Sequence, residues 1–352
     1  MRIQFAELPP VLREGGLEKA AADLARYLAG DGHVVQRTDP GIPVAEGIDL
    51  VHFHGLWSPA HYRMARSCKA AGLPVLVSPH GMLEPWAWKH RKWKKWPYFH
   101  LFEKHRLQAA DALLATAPEE ALNLGAFFPK SRIETLPLGI EPEVRPRYAA
   151  ARDQLGWQAD ERVLLYLSRV HPKKGLKELL LALLELPESR VRHRQLRLAV
   201  VGDGPEAYVA ECRKLAETLE ARMAVDWVPP QWGDAKWPWM QGADLFCLPT
   251  YSENFGIVIL EAGMVGTPVF TTTGTPWKPV ADAGFGWVVP PDPSAYRPAI
   301  EAFLETSDED LQARRPAFAE WTRSRYAWPN LIGRYGALYN DLVNGGHRPD
   351  GE

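Results

Sequence analysis

Cysteine is scarce in this chain. Cys68, Cys212 and Cys247 are scattered through 352 residues and are odd in number. That excludes a disulfide framework and suits packing residues in a reducing compartment. Long apolar runs are also missing: the longest, Leu179–Leu184, is far short of the roughly 20 residues that span a bilayer. Neither charge sign dominates. The formal net charge is −2, so no global field recruits nucleic acid or membrane, and any such affinity must be local. Internal repeats and low-complexity segments are absent. The opening Met1-Arg2-Ile3-Gln4-Phe5 reads as a strand and not as a signal peptide. No cluster of residues has metal-ligand spacing. Asp308-Glu309-Asp310 falls on a polar helix start, where acids favour the helix dipole, so no metal and no other cofactor is expected.

What is present suits a globular chain of two domains. Strands are predicted at 1–8, 50–54, 74–78, 112–115 and 133–136, with helices at 17–28, 59–71 and 118–124 between them. After the Pro/Gly-rich Leu138-Gly139-Ile140-Glu141-Pro142 the alternation resumes. Strands are predicted at 163–167, 196–201, 223–228, 245–248, 268–273 and 284–289, with helices at 176–186, 208–219 and from 257 onward. Helices 296–305, 308–324 and 329–343 follow, and the polar tail 344–352 is expected to be disordered. Alternation of this kind makes parallel sheets covered on both faces. Ligands then bind at the carboxyl ends of the strands. The expected division is a domain over 1–145, a second over 146–325, and a last helix with tail over 326–352.

The chain is organised around Thr250-Tyr251-Ser252-Glu253-Asn254-Phe255-Gly256-Ile257-Val258-Ile259-Leu260-Glu261. A buried strand ends at Pro249, a short polar loop follows, and a helix opens at Ile257. Gly256 lets a ligand approach the backbone. The first amides of a helix have no internal partners and favour a phosphate. Glu253 and Glu261 flank that position, and carboxylates accept from sugar hydroxyls. A phosphate between two hydroxyl-rich groups describes a sugar nucleotide. The alternatives are a buried turn with two solvated glutamates, or a glycosidase-like carboxylate pair.

Other strand ends carry candidates. Arg169 and Lys174, in Ser168-Arg169-Val170-His171-Pro172-Lys173-Lys174-Gly175, can clamp a diphosphate and stabilise its departing charge; alternatively the lysines are solvated turn residues. Gly15-Gly16 could hold a phosphate or saccharide, or be a tight turn. His80, between a strand and Gly81, can donate or accept near neutral pH. His54 has the same strand-end position with a weaker case. Between Trp86 and Arg106, Trp86, Trp88, Trp93 and Trp96 interleave with Lys89, Arg91, Lys92, Lys94 and Lys95, and Glu103 is the one acid. This suits the headgroup layer of an anionic bilayer, an acceptor carrying phosphates, or a packed helix with a solvated basic face. Nucleic acid ranks lowest, because no other basic patch extends it.

Taken in order, Gly15-Gly16, Ser78-Pro79-His80-Gly81-Met82, Ser168–Gly175, Val200-Val201-Gly202-Asp203-Gly204-Pro205 and the Glu253–Glu261 pair resemble glycosyltransferase family 4. Thr273-Gly274-Thr275-Pro276-Trp277 and Gly284-Phe285-Gly286-Trp287 resemble a subset found in bacterial surface-polysaccharide pathways. The resemblance implies a GT-B fold: two Rossmann-like domains facing across a cleft, with the last helix returning to the first domain. It implies a metal-independent, retaining transfer from a nucleotide sugar to a saccharide or lipid-linked acceptor. By motif, Arg169 and Lys174 would bind the diphosphate and Glu261 the ribose. Glu253 would meet the donor sugar, and the amides of Phe255, Gly256 and Ile257 the distal phosphate. His80 would lie beside the transferring sugar, Gly16 near the phosphates or acceptor, and Val228 near the base. Asn254 stands where glycine is common, and Leu138 where asparagine often precedes Gly139. The expected setting is cytoplasmic, peripheral at the inner face of the membrane. A nucleotide-sugar epimerase and a non-catalytic binding protein are the alternatives.

Overall fold

The computed structural model describes residues 1–8, 16–89, 92–142 and 147–345. It comprises two compact units, Met1–Ile140 with the segment from Tyr326, and Glu141–Arg325. The first contains β1 (Arg2–Ala6), β2 (Val34–Thr38), β3 (Leu50–His54), β4 (Val75–Ser78), β5 (Ala112–Ala115) and β6 (Ile133–Thr135). All pairs are parallel, in the order β2-β1-β3-β4-β5-β6. Side chains alternate across the sheet. Ile3, Phe5, Leu50, Leu76 and Leu114 share one core with helices Gly16–Gly30 and Trp328–Val343. Val51, Phe53, Val77 and Leu113 share another with Met64, Phe99 and Leu124. Because both faces are covered, β4 and β5 read as apolar runs. β2 was not expected. It is the sheet's edge, and four of its five residues lie at least partly open to solvent.

The second unit contains β7 (Arg162–Leu167), β8 (Leu196–Val201), β9 (Ala224–Val228), β10 (Leu245–Leu248), β11 (Val269–Thr272) and β12 (Gly286–Val289). Its sheet is also parallel, ordered β12-β11-β10-β7-β8-β9. Chain order reverses between β7 and β10, so the connections leaving these neighbours run to opposite sides. That leaves a crevice at their carboxyl ends. Both units match the expected α/β class.

The Trp/Lys segment corrects the expectation of one helix with a basic face. It is broken into helices Pro85–Lys89 and Lys92–Tyr98, a π turn Phe99–Glu103, and helix Lys104–Gln108. Pro97 lies just before the π turn, where its missing amide and its ring disfavour regular helix. Phe99, Glu103, Arg106 and Leu107 are buried. Trp88 packs inward, edge-on to Phe99 at 5.0 Å and Phe127 at 5.7 Å. Lys95 also turns inward: its ammonium donates to the Ala87 carbonyl at 2.6 Å and lies 5.5 Å from the Trp57 ring. Among the described residues of the segment, Trp93, Trp96, Leu101 and Phe102 are exposed large apolar side chains, with Trp86 at the margin. Lys92 and Lys94 lie on the second helix. Arg91, Gly15 and the tail from 346 fall outside the described residues.

Candidate active site

The crevice between β7 and β10 is built by two stitched loops. After β7, residues 168–171 lead into a single 3-10 turn, Pro172–Lys174. Gly175 ends it with φ +73°, and a Cβ there would stand 2.1 Å from the Pro249 carbonyl oxygen. Only glycine lets the two loops lie this close. The Lys173 carbonyl accepts from the Tyr251 amide at 2.8 Å and the Thr250 hydroxyl at 3.0 Å. Lys174 is thereby carried to Glu253, and the two form an ion pair with side chains 11% and 17% exposed. The Glu253 amide donates to the Gly274 carbonyl at 2.8 Å, tying the loop to the connection after β11.

Glu261 sits one turn into helix Ile257–Met264 and is buried. Its partner is Lys236, whose ammonium lies 2.5 Å from the carboxylate. Lys236 ends the short turn Gly233–Lys236 beyond β9. No sequence signal pointed to it: it is a single lysine in a Trp-rich stretch, 25 positions from its partner. A carboxylate this deep requires a counter-charge, because desolvating a lone ion costs several kcal/mol. Each glutamate of the motif is therefore held by a lysine from another strand end.

The helix start lies between them. Gly256 is left-handed, φ +73°. Phe255 is buried edge-on to Trp277, and its carbonyl accepts from the Trp277 indole N–H. Asn254 is half-buried. Arg169 is exposed, and its carbonyl accepts from the Tyr166 hydroxyl at 2.9 Å. The Val170 amide donates to the Asp203 carbonyl at 2.8 Å, joining the loop to the Gly-Asp-Gly turn. Val228 ends β9, where its carbonyl accepts from Gly202 at 3.0 Å. The crevice thus brings together Lys174, Glu253, Glu261 and the helix start, with Lys236 added.

In the first unit, Gly16 is the exposed first residue of helix Gly16–Gly30. His80 follows β4 with φ +53°, a left-handed conformation uncommon outside glycine. The turn is held because the Gly81 amide donates to Glu120 at 2.6 Å, while Glu120 also accepts from the Thr116 amide at 2.7 Å. His80 Nε2 lies 3.1 Å from His54 Nδ1. Beneath them His52 is fixed by the Tyr339 hydroxyl at 2.9 Å and the Ser78 hydroxyl at 2.8 Å. Burial holds all three imidazoles below their usual range, His80 at about 4. They are neutral at pH 7.

Residues 148–319 match the family model "Glycosyl transferases group 1", and residues 44–144 match "Glycosyltransferase Family 4". Among curated proteins, the chain is 30% identical over 262 residues to D-inositol 3-phosphate glycosyltransferase of Thermobispora bispora, covering 70% of this chain and 60% of that protein. It spans less than two thirds of the length of the curated relatives it matches. Among solved structures it is similar to sucrose-phosphate synthase of Thermosynechococcus elongatus, with TM-score 0.77, 20% identity, and coverage of 98% of this chain and 100% of that one. It is also similar to Anabaena HepE in complex with UDP and glucose, with TM-score 0.76, 18% identity, and coverage of 97% and 100%. These two likenesses concern the fold, which is GT-B.

Proposed function

The chain belongs to the group 1, family 4 glycosyltransferases, and from that premise we propose that it transfers a hexosyl or related sugar from a nucleotide sugar to a saccharide or lipid-linked acceptor in surface-glycan synthesis. The observation that carries this reading is the crevice at the reversal of strand order: a helix start flanked by the Lys174–Glu253 and Lys236–Glu261 pairs. On donor binding, the Lys174 ammonium is shared with the diphosphate and the Glu253 carboxylate turns to the sugar hydroxyls. Arg169 adds a second cation. Glu261, kept ionised by Lys236, accepts from the ribose hydroxyls. Asn254 lies within reach of the sugar end of this ligand, and the Val228 end of β9 borders the base.

Transfer retains configuration. The bond from the anomeric carbon to the phosphate oxygen breaks, and the electron pair leaves with the nucleoside diphosphate. The acceptor oxygen bonds to the same face of that carbon, and its proton passes to the departing phosphate. The cations and the amides of Phe255, Gly256 and Ile257 meet the charge that develops, so the chemistry asks for no metal. His80 keeps its expected role of hydrogen bonding to substrate. The test is nucleoside diphosphate release from a panel of sugar nucleotides, with and without lipid-linked acceptors. Acceptor-stimulated release is expected. Free epimerised nucleotide sugar would replace this reading with an epimerase, and binding without turnover would replace it with a binding protein.

The exposed Trp93, Trp96, Leu101 and Phe102, on a segment whose sequence also carries Lys92 and Lys94, support docking on an anionic membrane from the cytoplasmic side. Among the described residues, no helix is long and apolar enough to cross one. The protein is expected to float with vesicles containing anionic phospholipid. Trp93→Ser with Trp96→Ser is expected to abolish flotation. Wild-type protein that stays at the bottom of the gradient would assign this surface to the acceptor or the fold.

A further inference from the structure

We propose that His54 is a positioning residue that fixes His80 as the Nδ1-protonated tautomer, so that His80 offers substrate a hydrogen-bond donor and not a base. The kinetic part of this rests on the transferase reading above; the tautomer does not.

The bond between His54 Nδ1 and His80 Nε2 spans 3.1 Å, with ring planes within 14° of parallel. Both rings are neutral, so one nitrogen donates and the other accepts. Two arrangements satisfy this. If His80 donated, its proton would sit on Nε2. His54 would then carry its own proton on Nε2, which is buried and has no hydrogen-bond partner among the described residues. His54 lines a small cavity with Ala20, Ala21, Leu24 and Leu114 and also with Ser78, Thr116 and Tyr335, but none of those three hydroxyls is a hydrogen-bond partner of its Nε2. If His54 donates, only a lone pair is left there. Buried N–H groups without partners are rarer than under-satisfied acceptors, so the second arrangement wins. His80 then accepts at Nε2 and keeps its proton on Nδ1.

Neighbouring rings pack closely around His54. It ends β3 and is buried, its ring 4.1 Å from that of His52 and 4.7 Å from that of Phe5. His52 is itself tied at both nitrogens. The left-handed backbone at His80 fixes where that side chain begins. The imidazole of His80 is therefore set by a chain of contacts running from Tyr339 and Ser78 through His52 and His54. Its Nε2 lone pair is occupied, so it has no base to offer on that side.

The experiment is long-range proton–nitrogen correlation NMR on full-length protein with 15N-labelled histidine, using His80→Gln to assign His80. The expected spectrum places the His80 proton on Nδ1. In His54→Phe that preference is lost, whereas His54→Asn, which can present an amide N–H near the place of Nδ1, keeps it. In parallel, His54→Phe is expected to lower kcat about tenfold with little change in donor KM, the loss of one oriented hydrogen bond; His54→Asn restores most of it. A His80 proton on Nε2 in the wild type, or a His80 tautomer unmoved in His54→Phe, overturns the proposal. If the wild type turns over no sugar nucleotide, the transferase reading falls, and the spectra still decide the tautomer.

Discussion

Replacing Lys174 with methionine is expected to lower kcat/KM for sugar transfer by about 10²–10³-fold, the usual cost of removing one charge-stabilising group from a transition state. Methionine keeps most of the apolar stem, so packing around the 3-10 turn survives. The loss falls on kcat, because charge on the diphosphate grows as the glycosidic bond breaks; uniform binding would instead have raised KM alone. A change in stability also arises, since Glu253 loses its ion-pair partner. The two effects separate in the double variant Lys174→Met/Glu253→Gln. It removes the unpaired carboxylate and is expected to restore the melting temperature, while activity stays lost. Steady-state release of nucleoside diphosphate and thermal unfolding measure both. A single variant that turns over at the wild-type rate would remove Lys174 from the site.

How much of this site could be seen without coordinates differs from residue to residue. The central strands were legible because both faces of each sheet are covered, so β4, β5 and β10 are apolar at every or nearly every position. Lys174 and Glu253 lie 79 positions apart, yet both could be placed at strand ends. Their meeting depended on β7 and β10 being neighbours, which periodicity cannot state. β2 escaped because an exposed edge strand has no apolar alternation to display. Helix Tyr148–Leu155 escaped too, lying between the Pro/Gly-rich connection and the first strand predicted beyond it. Lys236 had no local signal, since a counter-ion for Glu261 is defined only by tertiary approach. His54 was seen as a strand-end histidine, but its role depends on an atom 3.1 Å away in the turn after another strand.

The Trp/Lys segment misled for the opposite reason, and it yields the largest expected change in stability. Its one acid, Glu103, looks in sequence like a flaw in a basic face. In the fold it is the anchor: Glu103 and Arg106 are 0% exposed and joined by bonds of 3.0 and 2.8 Å. Glu103 also accepts from the Trp57 amide at 2.9 Å, and Arg106 donates to the Gly55 carbonyl at 3.2 Å. The pair thus clamps the turn that leaves β3 immediately after His54. Glu103→Leu leaves the Arg106 guanidinium as an unpaired buried cation and is expected to cost about 3–5 kcal/mol. For a unit of this size that corresponds to a fall in melting temperature of about 10 °C. Arg106→Met leaves the opposite charge and is expected to cost a similar amount. The double variant Glu103→Leu/Arg106→Met is expected to recover part of the loss, because neither ion is then stranded. It should not recover all of it, since the Trp57 amide and Gly55 carbonyl lose partners. Single variants melting within a degree or two of the wild type would show that this pair does not hold the turn; full recovery in the double variant would show that the backbone contacts contribute nothing. The expected ordering ties the fold to the site, because the same turn carries the strand end on which His54 meets His80.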